Sequence, residues 1–449
     1  MRHLLPLSSP VRSRTKPSLA DGPAVPGVAD RLFIHYDRTA VFGLVLDIEG
    51  VPPSIDALRE HLRHRTGPLA ALHLLPHRAS SGWQRVGRPL DLTVHVVQGP
   101  DDRSGRTRDE TTDELIRKDL PHPPHPPWDM WLFTSQEHRS YRICFRIDHA
   151  LCDGVGAAHY LAALLADQEL PAPHLHRPAR PTLAAASRFA HNYLRRPPRG
   201  RAWPDLSADY QGDARIAYVD VPDDRLLALA RAWGVTVNDV YLTALARAMP
   251  VWHSREFPTS PFLGLTAAVP LSVRTSRTEG APGNHVVSMD LALPRSQSDP
   301  RHCLEAVLKQ TRRAARTGYR DTAHFFIERL LAPWLTHPNP RPRHALTATH
   351  LKLPSPWTVF GSSLTAAGLF CVPTGKMPCY VSLTRAAAIA RLGVVHDRRT
   401  PGAARLPELW RNALSELESQ ADRLAGEPAS RPGPSAPDTP DTLEPDTLK

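Results

Sequence analysis

A histidine stands between a predicted strand and a predicted helix, in the segment His149-Ala150-Leu151-Cys152-Asp153-Gly154. A neutral imidazole can take a proton from a hydroxyl or an amine, because its ordinary pKa lies close to neutral pH. Asp153 can fix the loop by accepting hydrogen bonds from backbone N–H groups or an arginine, and Gly154 allows a tight turn. Backbone N–H groups near Gly154 can also stabilise an oxyanion. The segment predicts proton transfer at an acyl carbonyl, although a strand-end histidine with a helix-capping aspartate explains the bare pattern equally well.

The elements around this segment predict how it is held. Residues 141–148 have the alternating apolar pattern of a strand, and the helix that follows carries leucines at 161, 164 and 165. Further strands are predicted at 41–48, 92–97, 215–221, 263–269, 285–293, 381–384 and 390–395. Helices are predicted after Ser54 and at 183–194, 224–233, 300–316, 322–335 and 406–424, and another begins at a Thr236–Asp239 capping box. This alternation predicts a mixed α/β architecture.

The composition along the chain predicts two lobes, with a tail at each end of the chain. Residues 1–28 and 427–449 are rich in Pro, Ser and Gly and are predicted to be disordered. The Pro- and Arg-rich stretch 179–205 predicts a crossover linker between an N-terminal lobe at 29–178, which carries HALCDG, and a C-terminal lobe at 206–426.

The charge and the cysteines narrow the class of protein. The 449 residues carry a formal charge of +10, but nearly all of the basic residues are Arg and no long basic run occurs, which is typical of a GC-rich genome rather than a nucleic-acid surface. The five cysteines lack any C-x-x-C pair, so reduced thiols are expected, with neither a disulfide framework nor a metal site. No signal-peptide core and no transmembrane stretch appears, so a cytoplasmic protein is expected, and a peripheral lipid contact stays open.

Several segments together resemble one family. HALCDG, preceded by Asp148, is similar to the His-His-x-x-x-Asp-Gly motif of the chloramphenicol acetyltransferase and condensation-domain superfamily. The other segments resemble the wax ester synthase/diacylglycerol acyltransferase family within it, in matching order and spacing over about residues 30–420. They are ADRLFIHYDR (29–38), HPPWDMWLF (125–133), GVTVNDVYLTALARAM (234–249), VPLSVR (269–274) and GNHVVSMDLALP (283–294).

The resemblance implies a fold and a set of roles. The fold would be two chloramphenicol-acetyltransferase-like lobes, each a mixed sheet with flanking helices, with an active-site channel between them. His149 would be the general base, in the position of the second histidine of the motif. Asp153 would orient the loop through an arginine of the other lobe, for which Arg274 is the candidate.

Further positions would have structural roles. Asn238, Asp239 and Asn284 would lie at the lobe interface, although helix capping alone is the stronger expectation for Asp239. Trp128 would pack near the channel or in the core.

Two departures from the family pattern affect these expectations. Asp148 replaces the first histidine of the motif; beside His149 it would either raise the imidazole pKa or point away from the site, as strand alternation predicts. Near 345–363, LTATHLKLPSPWTVFGSS replaces the family's Ser-Asn-Val-Pro-Gly-Pro segment, which puts the acceptor-side contacts in doubt.

The expected function is transfer of an acyl group from an acyl-CoA or acyl-carrier thioester to a fatty alcohol, diacylglycerol or secondary-metabolite alcohol, with no cofactor and no metal. One alternative is a condensation-type enzyme that joins a carrier-bound acyl group to an alcohol or amine in natural-product biosynthesis. Another is a non-catalytic binding member of the fold, which the loss of the first histidine would favour. Nucleic-acid binding is not expected; it would predict steeply salt-dependent retention on DNA.

Overall fold

The computed structural model describes residues 25–35, 39–100, 108–135, 139–170, 175–194, 213–294, 299–331, 344–373 and 379–426. Almost all of both predicted tails, and residues 195–205 of the predicted linker, lie outside the described residues.

The described chain contains strands and helices in alternation. The strands are β1 (Val41–Glu49), β2 (Leu74–His77), β3 (Gly82–Arg85), β4 (Val96–Gln98), β5 (Trp128–Ser135), β6 (Ser140–Asp148), β7 (Ala214–Pro222), β8 (Leu265–Ser272), β9 (Val286–Leu293), β10 (Leu346–Lys352), β11 (Thr358–Val359), β12 (Ser362–Cys371), β13 (Cys379–Ala386) and β14 (Ile389–Asp397). The helices are α1 (Val28–Ile34), α2 (Ile55–Arg63), α3 (Leu92–His95), α4 (Arg108–Leu115), α5 (Gly154–Leu165), α6 (Leu183–Leu194), α7 (Asp223–Ala232), α8 (Val237–Glu256), α9 (Pro300–Arg316), α10 (Tyr319–Phe325) and α11 (Leu406–Gly426).

Twelve of these strands form two mixed sheets, as predicted, and β2 and β3 form a separate antiparallel pair. The first has the order β11-β12-β1-β6-β5-β4, antiparallel except for the parallel pair β4–β5. The second has the order β7-β14-β13-β10-β8-β9, in which β10 runs parallel to both of its neighbours. Leucines of α2 and α5 lie in the core of the first sheet, and apolar residues of α8 and α11 lie in the core of the second.

The two sheets do not follow the predicted boundary between the lobes. Strands β11 and β12 fall inside the predicted C-terminal lobe at 206–426, yet they extend the first sheet, where Phe42 pairs with Cys371 and Leu44 with Leu369. Strand β12 also touches the second sheet, because the Leu369 N–H donates to Thr384 Oγ1 at 2.8 Å and Ser382 Oγ donates to the Leu369 carbonyl at 2.6 Å. Strand β12, from the second half of the chain, is therefore a member of the first sheet and is also bonded to the second sheet. We call the first sheet with its helices the first half of the structure and the second sheet with its helices the second half.

Other local predictions have mixed outcomes. The helix at 300–316 and the Thr236–Asp239 capping box are confirmed. The strand predicted at 92–97 is wrong over its first part, because the Asp91 carboxylate accepts a hydrogen bond from the Thr93 N–H at 3.0 Å and caps the short helix α3; β4 starts only at Val96. The helix predicted at 322–335 begins earlier, as α10, and continues as a π-helical turn over Phe326–Leu331, while 332–335 lie outside the described residues.

Two further features concern the protein's surroundings. All five cysteines are buried free thiols. In the described part of the chain, no helix combines the length and the apolar character needed to cross a bilayer.

Candidate functional site

His149 lies directly after strand β6, where it begins a short 3₁₀ turn over His149–Leu151. Its backbone N–H donates to the Ala40 carbonyl at 2.8 Å, which ties the turn to the start of β1. The imidazole is held between two phenylalanines: its ring centroid lies 4.1 Å from that of Phe33, with the planes 13° apart, and 4.3 Å from that of Phe42. These contacts fix the plane of the ring.

The surroundings of His149 favour the neutral imidazole. Burial lowers the pKa of His149 below its ordinary value, and the negative charge of Asp153 only partly opposes this effect. Nδ1 is enclosed and has no hydrogen-bond partner among the described residues, whereas Nε2 is not enclosed. A neutral ring with one accessible nitrogen can act as a proton acceptor at neutral pH.

Asp153 holds the loop between the halves of the structure. It caps helix α5 by accepting from the Gly156 N–H at 2.8 Å, and it accepts from the His285 N–H, also at 2.8 Å. Arg274 Nε donates to its two carboxylate oxygens at 2.9 and 3.0 Å, and both side chains are almost fully buried. Burial alone would raise the pKa of Asp153, but the charge and hydrogen bonds of Arg274 outweigh it, so the pKa is lowered and the pair stays ionised. The structure thus brings the two predicted partners together.

The Arg274 guanidinium also organises the segment that follows β8. Its Nη1 donates to the carbonyls of Thr278, Glu279 and Ala281, and its Nη2 donates to the Gly283 carbonyl, at distances from 2.7 to 3.1 Å. The Gly283 N–H in turn donates to the Leu151 carbonyl at 2.7 Å. A single cation therefore connects the turn that carries His149 to a segment of the second half.

A glycine that the sequence analysis did not single out makes room for this cation. A Cβ at Gly156 would lie 2.5 Å from Arg274 Nη2 and 3.0 Å from its Cζ. At Gly154, which was singled out, a Cβ would meet only Leu369 and Phe42 at ordinary contact distances of 3.6 Å and 3.8 Å. Of these two glycines only Gly156 faces the guanidinium. A side chain is therefore sterically excluded at Gly156 but not at Gly154.

Asn284 lies at the interface, as expected, and it has a partner that the sequence analysis missed. Its Nδ2 donates to the His149 carbonyl at 2.6 Å and to Asp30 Oδ1 at 2.8 Å, and its backbone N–H donates to the same Asp30 oxygen at 2.6 Å. Burial raises the pKa of Asp30 to about 6, despite the hydrogen bonds from Asn284 and Gly27. Asp30 belongs to the family-like segment 29–38, but nothing local to that segment marks its carboxylate as buried.

Asp148 is directed away from the imidazole. Its Oδ1 accepts from the Ala150 N–H at 2.9 Å and so caps the 3₁₀ turn. Burial raises the pKa of Asp148 to about 6, and the pKa of His149 is lowered rather than raised. Of the two expectations for this residue, the structure therefore agrees with the one that points it away from the site.

Asp239 does not lie where the resemblance implies. The Asp239 side chain bonds to Thr236 and Thr311, which both belong to the second half, so the interface prediction is wrong for Asp239 and capping is its observed role. Asn238 lies in the same first turn of α8 and is partly exposed, and its place at the interface stays a prediction. Trp128 is a core residue: it is fully buried, its Nε1 donates to the Leu72 carbonyl at 2.9 Å, and it stacks on His95.

A cavity opens at the same edge of the first sheet. It has a volume of about 520 Å³ and lies where β6 and β12 end and where β1 begins. Its walls include Phe33, Val41, Leu75, Val372 and Asp148. His149 is not among the residues that line the cavity, but Phe33 of its wall stacks on the imidazole.

Sequence comparison identifies relatives of this chain. Residues 34–200 match the model of the wax ester synthase/diacylglycerol acyltransferase catalytic domain. A putative diacylglycerol O-acyltransferase of Mycobacterium tuberculosis is 26% identical over 315 residues, which cover 60% of this chain and 64% of the relative, just under two thirds of its length. One from Mycobacterium bovis is 25% identical over 400 residues, covering 76% of this chain and 83% of the relative.

Solved structures show the same fold at low identity. The wax ester synthase/diacylglycerol acyltransferase from Marinobacter aquaeolei VT8 is 20% identical and superposes with a TM-score of 0.62, covering 89% of this chain and all of that one. The starter condensation domain of rhizomide synthetase, in complex with C8-CoA and Leu-SNAC, is 13% identical with a TM-score of 0.59, covering 88% of this chain and 92% of that one. The predicted fold class and the predicted resemblance are confirmed.

Proposed function

We propose that this chain, a relative of the wax ester synthase/diacylglycerol acyltransferase family, is an O-acyltransferase that moves an acyl group from an acyl-CoA thioester to a hydroxyl acceptor. The observation that carries the proposal is the neutral imidazole of His149, which keeps one nitrogen accessible while the buried Asp153–Arg274 pair fixes its turn between the two halves. The relatives named as diacylglycerol O-acyltransferases support the reaction type.

The proposed reaction proceeds in two proton transfers. His149 Nε2 takes the proton of the acceptor hydroxyl as its oxygen attacks the thioester carbonyl, which gives a tetrahedral intermediate with a negatively charged oxygen. The backbone N–H groups of Gly154 and Val155, which precede the Gly156 N–H that bonds Asp153, would stabilise that oxyanion. The C–S bond then breaks, and the imidazolium returns its proton to the leaving thiolate. The products are the ester and the free thiol, and no acyl-enzyme is required.

The donor and the compartment follow from related observations. A condensation domain of the same fold was solved with C8-CoA, which supports an acyl-CoA as the donor here. We place the reaction in the cytoplasm, because the five cysteines are free thiols and their burial suits a reducing compartment.

The test is turnover by the purified full chain with C8- and C16-acyl-CoA and with hexadecanol or dioleoylglycerol. Released thiol would be followed with a thiol reagent and the ester would be identified by mass spectrometry. His149→Ala is expected to lower kcat/KM by roughly 10²- to 10⁴-fold, the usual contribution of a general base. His64→Ala, whose side chain is 82% exposed, serves as the matched histidine control and is expected to match wild type.

Other outcomes would change the proposal. An His149→Ala variant as active as wild type would refute the role of this histidine. Amide formation in place of ester formation would favour the condensation-type alternative. Binding of acyl-CoA with no turnover of any acceptor would favour the non-catalytic alternative.

A further inference from the structure

The buried carboxylate of Asp30 holds two segments at once. The residue lies in α1 and is 3% exposed. Its Oδ2 accepts from the Gly27 N–H at 2.8 Å, which caps the start of its own helix. Its Oδ1 accepts two donors of Asn284, the backbone N–H at 2.6 Å and Nδ2 at 2.8 Å. One carboxylate therefore joins α1 to the segment before β9, which lies 254 residues later in the chain.

The side-chain amide of Asn284 extends this contact to His149. Its Nδ2 also donates to the His149 carbonyl at 2.6 Å. Burial raises the pKa of Asp30 to about 6, so its carboxylate is ionised at neutral pH and, like the carbonyl, can only accept hydrogen bonds. Turning the Asn284 amide by half a turn would place its oxygen against both acceptors. Asp30 therefore fixes the orientation in which Asn284 binds the turn of His149.

The carbonyl oxygen that Asn284 binds acts on the imidazole of the same residue. Burial lowers the pKa of His149, and the His149 carbonyl is the strongest of the influences that raise it. Because the ring becomes an imidazolium when it accepts a proton, the position of this oxygen affects how well the ring acts as a base. Phe33, one turn after Asp30 in α1, stacks on the ring with 4.1 Å between the centroids. Helix α1 thus contacts the ring directly and, through Asn284, the backbone of His149.

We infer that Asp30 is a positioning residue for the acyl transfer: through Asn284 it holds the backbone of His149 where the imidazole can take the proton of the acceptor hydroxyl. The inference rests on the proposed function. Asp30 takes no part in the two proton transfers, so its contribution lies in the geometry of the base. A displacement of about 1 Å in a catalytic group can slow a reaction by about 10²-fold. Loss of Asp30 is therefore expected to change kcat and not the KM for the acyl-CoA.

The experiment measures kcat and KM of the full chain with C16-acyl-CoA and hexadecanol. Asp30→Ala and Asn284→Ala are each expected to lower kcat by about 10- to 100-fold, with little change in the KM for the acyl-CoA. The double variant is expected to lose no more than the weaker of the two single variants, because both changes break the same connection. Asp30→Asn keeps one acceptor oxygen and is expected to recover part of the loss. Glu328→Ala is the matched control: Glu328 accepts from the Val28 N–H at 3.1 Å and so holds the same end of α1 without contacting Asn284, and this variant is expected to keep the kcat of wild type.

The same substitution in a chain without the base separates positioning from general support of the fold. In the His149→Ala background, Asp30→Ala is expected to leave the residual kcat unchanged, because no imidazole remains to be positioned. The inference is overturned by an unchanged kcat in both single variants, by additive losses in the double variant, or by a further loss in the His149→Ala background. Circular dichroism shows whether each variant is folded, and Asn284→Ala and Asp30→Asn keep the test valid if Asp30→Ala is not.

The ring nitrogens of His149 give a measurement that does not need turnover. In the full chain labelled with ¹⁵N-histidine, their resonances are assigned by their loss in His149→Ala. They are expected to shift in Asp30→Ala and Asn284→Ala and to stay in place in Glu328→Ala. If wild type transfers no acyl group, the proposed function fails and these resonances decide the positioning alone: shifts confined to the first two variants support it, whereas unchanged resonances, or equal shifts in all three variants, overturn it.

Discussion

Replacing Asp153 by Asn should destabilise the whole fold and not only the active site. The change keeps the size and one acceptor oxygen of the side chain but removes its charge. Arg274, whose side chain is fully buried, then carries a positive charge with no negative partner at hydrogen-bond distance. Removing one partner of a buried pair costs about 3–5 kcal/mol, because the remaining charge stays desolvated.

The remaining contacts place the expected loss at the lower end of that range. The guanidinium keeps its hydrogen bonds to the carbonyls of Thr278, Glu279, Ala281 and Gly283. We therefore expect Asp153→Asn to lower the free energy of unfolding by about 3 kcal/mol. In the double variant with Arg274→Met no unpaired cation remains, so the combined loss should fall short of the sum of the two single losses by about 2 kcal/mol.

Denaturant unfolding at neutral pH, followed by tryptophan fluorescence, measures these quantities. Asp56→Asn, at an exposed i,i+3 pair on α2, is the control and should unfold like wild type. A loss below about 1 kcal/mol for Asp153→Asn, or additive losses in the double variant, would show that the pair is not the energetic link between the halves. The pH dependence gives a second check: the folded pKa of Asp153 is lowered, so its stabilisation is complete above the unfolded value of about 4 and is lost as the pH falls further.

Three further perturbations test the site and its support. Gly156→Ala places a Cβ 2.5 Å from the buried guanidinium, so it should lower the free energy of unfolding by about 1–3 kcal/mol and reduce kcat/KM. Gly154→Ala meets only ordinary contacts and should be tolerated. Equal unfolding midpoints for the two variants would contradict this expectation. Phe33→Ala exposes the imidazole of His149, so its pKa should rise and the acid limb of the kcat/KM profile should move to higher pH; an unmoved limb would mean that another group controls it. Asp47 pairs with Arg142 and Arg391, whose charges outweigh burial and hold the pKa of Asp47 at about 2. Asp47→Asn should therefore lower the free energy of unfolding at neutral pH but much less near pH 2. An equal loss at both pH values would exclude an electrostatic role.

The residues that the sequence predicts correctly are those with a local signature. The strand, turn and helix around His149 and the cap at Asp153 are short-range patterns, and the Arg274 partner follows from the family-like strand end at 269–274. Asp30 and Gly156 carry no such signature. Their roles arise from contacts with the segment 274–284, which is distant in sequence, so periodicity and spacing contain no information about them.

Strand β12 is one of six strands that the sequence analysis did not predict, and its omission has a physical explanation. Residues 362–371 are buried along most of their length, because β12 lies within the first sheet and also contacts the second. A strand buried on both faces lacks the alternation of apolar and polar residues that marks a half-exposed strand. Its partner β1 lies more than three hundred residues earlier, and the sequence therefore gives no indication of the pairing.

Strand β12 restricts how the two halves can move and how the protein can be divided. A hinge motion that parts the halves would have to break either the ladder between β1 and β12 or the contacts of β12 with Thr384 and Ser382. Access of reactants to His149 is therefore not expected to depend on the two halves moving apart. A fragment that ends before residue 362 also leaves β1 with an unpaired edge, so the N-terminal half is expected to be insoluble alone and to recover solubility when the C-terminal half is co-expressed.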